Sequence, residues 1–208
     1  MIVIDWKNTI KNIGKSSHLV FYIPVGTGDA TLISRSIIMF KEGITAAVDL
    51  WSELLAEELG SVAGDFDAIL RPLSSKETAE HIPGPLDVMG KRLGEKLGIP
   101  YLPQFFIKDE VRQPLHKISS GAKRYNVLID NYHLKYNINP AIIGKARFLL
   151  IDDVTTSGST VRVIADIIHK YYPDISLSFA ALARTSHQPR ANEGFFEIIE
   201  RIKATGIS

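Results

Sequence analysis

The sequence predicts an α/β protein built on a mainly parallel, twisted sheet with helices on both faces. Three observations carry this. Strand-like and helix-like stretches alternate over residues 65–208, the order that produces parallel sheets. Arg147-Phe148-Leu149-Leu150-Ile151 is a continuous apolar run, as a central strand buried on both faces requires. A polar loop of small residues follows that run directly, where such sheets hold their ligands.

In chain order, His18–Pro24 is an apolar segment and Leu32–Phe40 an amphipathic one. Thr45–Leu59 reads as a helix, with Ala47, Leu50, Trp51, Leu54, Leu55 and Leu59 near helical spacing and Gly60 as its stop. The joint is Gly60-Ser61-Val62-Ala63-Gly64. Two units are expected: 1–64, an N-terminal helical hood over the sheet edge, and 65–208, the α/β core. In the core, Asp67–Arg71 is a short strand ended by Pro72, and Leu86–Leu97 a helix ended by Gly98. Ile99–Ile107 is a strand or two, and Ser119–Val127 a short helix. After Arg147–Ile151 come a helix over Ser159–Tyr172, a strand over Ile175–Ala183 and a last amphipathic helix over Asn192–Lys203.

Composition narrows the function. The chain has 208 residues, 24 Lys+Arg against 23 Asp+Glu, and no cysteine. Zero cysteine excludes disulfides, thiolate zinc sites, iron–sulfur clusters and cysteine nucleophiles. A net charge of +1 argues against a nucleic-acid coat, which needs a strongly basic face. No apolar run reaches bilayer length and the N-terminus lacks a leader pattern, so a cytoplasmic protein without membrane contact is expected. One basic stretch stands out, Lys108 to Arg124. It reads either as a solvated loop or as a flap over an anionic ligand.

The chemistry lies in Asp152-Asp153-Val154-Thr155-Thr156-Ser157-Gly158-Ser159-Thr160. Small residues let backbone N–H groups approach a tetrahedral anion, and the helix start adds partial positive charge. The hydroxyls of Thr155, Thr156, Ser157, Ser159 and Thr160 can donate further. Two carboxylates would repel a phosphate but suit a vicinal diol, with or without Mg²⁺. A diol beside a phosphate describes a ribose 5-phosphate. The bland alternative makes Ser159 or Thr160 an N-cap and the aspartates a solvated strand end. A cap needs one such residue, not five with a glycine and an acidic pair.

Phe148 to Thr160 resembles the phosphoribosyl-pyrophosphate signature of type I phosphoribosyltransferases. The resemblance implies a type I phosphoribosyltransferase-like fold. It implies that Asp152 and Asp153 contact the ribose hydroxyls and Mg²⁺, directly or through water, and that Thr155, Thr156, Ser157, Gly158, Ser159 and Thr160 wrap the 5-phosphate. Within the family the chain looks most like the ComF-like branch. Gln113-Pro114-Leu115, Arg124-Tyr125-Asn126-Val127, Leu32–Gly43 with Lys41, and Ala183-Arg184 carry that likeness. Two departures stand beside it. The cysteine zinc ribbon common there is impossible here, and the Arg-Gly-x-Asn motif is replaced by Arg71–His81. In that stretch Arg71, Ser74, Ser75 and Lys76 are the candidates for the diphosphate. Arg112, Lys117 and Arg124 are the flap candidates.

The reaction implied is displacement of pyrophosphate from ribose carbon 1 by a nitrogen acceptor, with Asp152, Asp153, Lys76 and Lys117 as catalytic candidates. The implied ligands are phosphoribosyl pyrophosphate and an unidentified acceptor near Arg184-Thr185-Ser186-His187; a homodimer is compatible. The competing readings are a non-catalytic sensor of phosphoribosyl pyrophosphate or a nucleotide, in DNA uptake or transcription control, and nucleic-acid binding through Lys108–Arg124. Other motifs are weaker. Gly14-Lys15-Ser16 has Thr9 where a Walker A loop needs glycine. Gly26-Thr27-Gly28 reads as a turn, the histidines lack metal-ligand spacing, and Ser186-His187 lacks a nucleophile elbow.

Overall fold

A computed structural model of the chain describes residues 1–5, 10, 13–24, 29–74, 77–78, 82–109, 121–135 and 145–207. The central sheet contains β1 (Ile2–Val3), β2 (Ile13–Tyr22), β3 (Ala68–Leu70), β6 (Arg147–Thr155) and β7 (Ser176–Thr185), in the order β1-β2-β7-β6-β3. Only β1 runs antiparallel to its neighbour; β2, β7, β6 and β3 are parallel. A separate antiparallel hairpin joins β4 (Phe106–Lys108) to β5 (Tyr132–Leu134).

Side chains alternate across β6, and each face owns a core. Leu149 and Ile151 pack beneath α1 (Asp29–Lys41), α2 (Thr45–Gly60), α3 (Pro85–Leu97) and α6 (Phe196–Ala204). Phe148 and Leu150 pack with α4 (Gly121–Ile129), α5 (Ser159–Tyr171) and the β4–β5 hairpin. The mainly parallel sheet with helices on both faces is therefore present as the alternation predicts.

Residues 1–64, read as a hood, contribute two strands to the sheet and two helices to one of its faces. β2 pairs with β7 from Ile13↔Leu177 to Tyr22↔Thr185, with a register shift between Ile13 and Ser16. That irregularity and the polar run Gly14–Ser17 hide the first half of the strand from a hydrophobicity pattern, which shows only His18 onward. Asn192, expected inside the last helix, lies before it. Its amide serves as a strand partner, taking the Phe21 N–H at 2.9 Å and donating to the Phe21 carbonyl at 2.7 Å. The Gly14-Lys15-Ser16 motif lies within β2, not before a helix as a phosphate loop would.

Glycine is needed where α3 meets the segment beyond it. A Cβ on Gly90 would sit 2.4 Å from the Tyr101 ring. That ring cannot swing away freely, because its hydroxyl donates to Asp87 at 2.9 Å. Gly90→Ala is therefore expected to lower stability by about 1–3 kcal/mol despite its better helix propensity. An unchanged urea midpoint would show that Tyr101 moves at no cost.

Candidate functional site

Because β2, β7, β6 and β3 are parallel, their carboxyl ends share one edge of the sheet. β6 ends at Thr155, and α5 begins at Ser159. Between them Gly158 adopts φ 71°, ψ 12°, a left-handed turn that a side chain would strain. The start of α5 has no side-chain cap and no acidic residue in its first turn, so its partial positive charge faces outward. In front of it lies a cavity of ≈ 170 Å³ lined by Leu128, Asp152, Val154 and Thr155 through Val161. At roughly 30 Å³ per water, that is room for a phosphate group.

The loop's hydroxyls are ordered by one another. Ser157 Oγ and Ser159 Oγ are 2.7 Å apart. Thr156 Oγ1 meets Thr185 Oγ1, at the end of β7, at 2.8 Å. Thr155 is buried, while Ser159 and Thr160 are half-buried. All six loop residues expected around the phosphate thus line one space.

The aspartates separate. Asp152 lines the cavity and accepts the Asp153 N–H at 2.9 Å. Asp153 is absent from that lining; its Oδ1 lies 3.4 Å from Lys41 Nζ at the end of α1. Neighbours on a strand point to opposite faces, so an adjacent pair cannot sit side by side. Burial, then the charge of Asp153, push the Asp152 carboxyl up to about 8, with Lys41 pulling the other way.

The segment after β3 departs from expectation. Arg71, a candidate for the diphosphate, is 2% exposed. Its guanidinium is committed to Glu77 at 2.6 and 2.7 Å, to Asp87 at 2.8 Å and to the Pro72 carbonyl at 3.0 Å. It braces the loop from inside. Burial by itself would raise the Glu77 carboxyl, but Arg71 and the Ser74 and Ile82 amides hold it down to about 2. Ser74 is exposed, with its carbonyl taken by Lys108 Nζ at 2.6 Å. Lys108, read as the start of a basic flap, is instead buried in β4; burial lowers its ammonium pKa, and Glu77 opposes that.

Ser75, Lys76, Arg112 and Lys117 lie outside the described residues, as does the side chain of Arg124. The helix carrying Arg124, α4, is held against α5 by the Tyr125 hydroxyl on Asp166 at 2.7 Å and by Arg162 over the Tyr125 ring at 4.4 Å. Its Leu128 reaches the cavity. Ser186 N–H donates to the Tyr22 carbonyl at 2.9 Å and His187 is exposed. Sequence reasoning gave no role to Glu77 or Tyr132 and placed Lys108 on a flap. Tyr132 lies across the hairpin from Lys108 and takes the Leu73 N–H on its hydroxyl at 2.5 Å; burial raises its phenol pKa. No local pattern marks Lys108 or Tyr132 for these roles, since each acts on a segment 34 or 59 residues away.

Among the described residues no three His, Cys, Asp or Glu side chains gather to hold a metal, and no helix is long and apolar enough to cross a membrane. No protein-family model matches the chain, and no curated protein matches it. Solved structures similar to it include an adenine phosphoribosyltransferase, with TM-score 0.40 and 15% identity over 74% of this chain and 72% of that one. The adenine phosphoribosyltransferase of Leishmania tarentolae gives 0.44 and 14% over 80% and 94%. A purine phosphoribosyltransferase from Pyrococcus horikoshii Ot3 gives 0.37 and 15% over 82% and 88%. Likenesses this distant carry no activity over to this chain.

Proposed function

We propose that the chain is a phosphoribosyltransferase that binds phosphoribosyl pyrophosphate with Mg²⁺ and transfers ribose 5-phosphate to a nitrogenous acceptor. One observation carries this: the Asp152 carboxylate and the small hydroxyl loop Thr155–Thr160 line a single cavity at the start of α5. The 5-phosphate takes the loop amides and hydroxyls, and Asp152 accepts from a ribose hydroxyl. The acceptor nitrogen then bonds to ribose carbon 1 as the carbon–oxygen bond to diphosphate breaks, and the electron pair leaves with diphosphate. The chain's task is to hold the sugar in line and to favour the departing charge. The donor set would suit Mg²⁺: Asp152, on losing its proton to the incoming ion, would offer a hard carboxylate oxygen, and the ligand and water would supply the rest. When bound, the ion neutralises the leaving diphosphate. Arg112, Lys117 and Lys76 are proposed to face that diphosphate, and Asp153 to support the acidic strand tip through Lys41. The ComF-like branch belongs to this proposal on the strength of Gln113-Pro114-Leu115 and Arg124-Tyr125-Asn126-Val127.

A non-catalytic sensor of the same ligand is the second reading, favoured by one fact: Arg71 is turned inward and unavailable to a diphosphate. The deciding measurement is pyrophosphate release from phosphoribosyl pyrophosphate and Mg²⁺ with a panel of bases and amines. Turnover with at least one acceptor is expected, reduced on the order of 100-fold in Asp152→Asn. Tight binding without release from any acceptor selects the sensor. Absence of binding removes both.

A further inference from the structure

The sheet reaches into the small-residue loop through one hydroxyl. β7 closes at Thr185, and the sheet holds its backbone from two sides. Tyr22 of β2 is its register partner, and the next residue, Ser186, donates its N–H to the Tyr22 carbonyl at 2.9 Å. On the other side Arg184 is in register with Thr155, the last residue of β6. Thr156 is the first residue beyond that pairing, and it is exposed. Its Oγ1 meets Thr185 Oγ1 at 2.8 Å. The bond between Ser157 and Ser159 stays inside the loop, whereas this one leaves it for the sheet.

Thr156 lines the cavity in front of α5, and Thr185, half-buried, does not. Thr185 is therefore placed to act on the loop rather than on what the cavity holds. A hydroxyl has one proton to give and two lone pairs to accept with. Within a pair of hydroxyls one proton is used in their bond and the other stays free. Where Thr185 is the donor, the free proton is that of Thr156, a residue of the cavity lining. A phosphate dianion offers only acceptors, so its arrival selects that arrangement, and each bond of the chain then polarises the next.

We propose that Thr185 is a positioning residue for the phosphate of the ligand. Its hydroxyl donates to Thr156 Oγ1 and leaves the Thr156 proton for a phosphate oxygen. The proposal rests on the phosphoribosyl reading of this sheet edge. It moves Thr185, which the sequence placed with the acceptor segment, to the phosphate side.

The test is a double-mutant cycle read by calorimetry on the full chain, with ribose 5-phosphate and Mg²⁺ as the probe. Thr185→Val keeps the β-branched shape and removes the hydroxyl. It is expected to weaken ribose 5-phosphate about fivefold, the scale of one neutral hydrogen bond. Thr156→Val, which removes the group that meets the phosphate, should weaken it about tenfold. In the Thr156→Val background, Thr185→Val should change the affinity by less than roughly twofold, because its route to the ligand is already gone. Thr185→Ser keeps the donor and should stay within about twofold of wild type. Thr185→Ala, carried through the same cycle, replaces Thr185→Val if valine disturbs folding. Wild-type affinity in Thr185→Val overturns the proposal and leaves the phosphate loop standing. Losses that add in the double variant also overturn it, because Thr185 would then act through another group, as a purely structural residue does. A Thr185→Ser chain as weak as Thr185→Val overturns it too, since the hydroxyl would not be what counts. A wild-type chain that does not bind ribose 5-phosphate sinks both this inference and the reading beneath it.

Discussion

Glu77→Ala is expected to cost roughly 3–5 kcal/mol of stability, the usual penalty for removing one partner of a buried ion pair. Glu77 is 0% exposed and Arg71 2%. Without the carboxylate the guanidinium keeps Asp87 but loses its two bonds to Glu77, and the Ser74 and Ile82 amides lose their acceptor. Replacing both partners together, as in Arg71→Met with Glu77→Leu, should cost much less, since no charge is then stranded. The pair also predicts an acid limb. Glu77 is held down to about 2 in the folded chain, against an ordinary 4.5. The unfolded chain therefore takes up the proton first as pH falls. The contribution of Glu77 is complete above its ordinary carboxyl range and is lost as pH falls toward about 2. Urea midpoints measured from neutral pH downward should fall, less steeply in Glu77→Gln. A Glu77→Ala chain within about 0.5 kcal/mol of wild type would contradict the role given to this pair.

Asp152→Asn should move stability and ligand binding in opposite directions. The folded carboxyl is pushed up to about 8 from an ordinary 3.8. Between those values the folded chain holds a proton that the unfolded chain releases. Its favourable contribution is full below the ordinary carboxyl pKa and is lost as pH rises through about 8. An asparagine carries no charge to bury, so the variant should gain on the order of 1–3 kcal/mol near pH 8. The gain should shrink in acid. The same change removes the one carboxyl among the described residues of the cavity lining, which gives up its proton when Mg²⁺ and a ribose hydroxyl meet it. Affinity for ribose 5-phosphate with Mg²⁺ should fall on the order of 100-fold, as when a charged hydrogen-bond partner is lost. A variant less stable at pH 8, with affinity intact, would make Asp152 a structural residue and empty the cavity of its proposed meaning.

The small-residue loop was legible because its information is local. Five hydroxyl residues and a glycine around the end of β6 need only the strand before them and the helix after them to line a concave pocket. The strand over Arg147–Ile151 and the helix over Ser159–Tyr172 were legible for the same reason, since apolar run and helical period are short-range signals. β2 was only half legible. Its first residues are Gly14, Lys15, Ser16 and Ser17, and pairing with β7, more than 150 residues later, makes them a strand. Arg71 was misread because its type allowed an anion site while its partner was invisible.

Short-range pattern thus established the α/β alternation and the small-residue loop at the carboxyl edge of the sheet. The folded arrangement alone assigned the charges. It turned Arg71 inward to Asp87, 16 residues away, set Lys108 beneath Ser74, 34 away, and brought Tyr132 to Leu73, 59 away. It also sent Asp152 to the cavity and Asp153 to Lys41. A charged side chain takes its role from whichever group stands within about 4 Å of it, and neither its own identity nor that of its chain neighbours says which group that is.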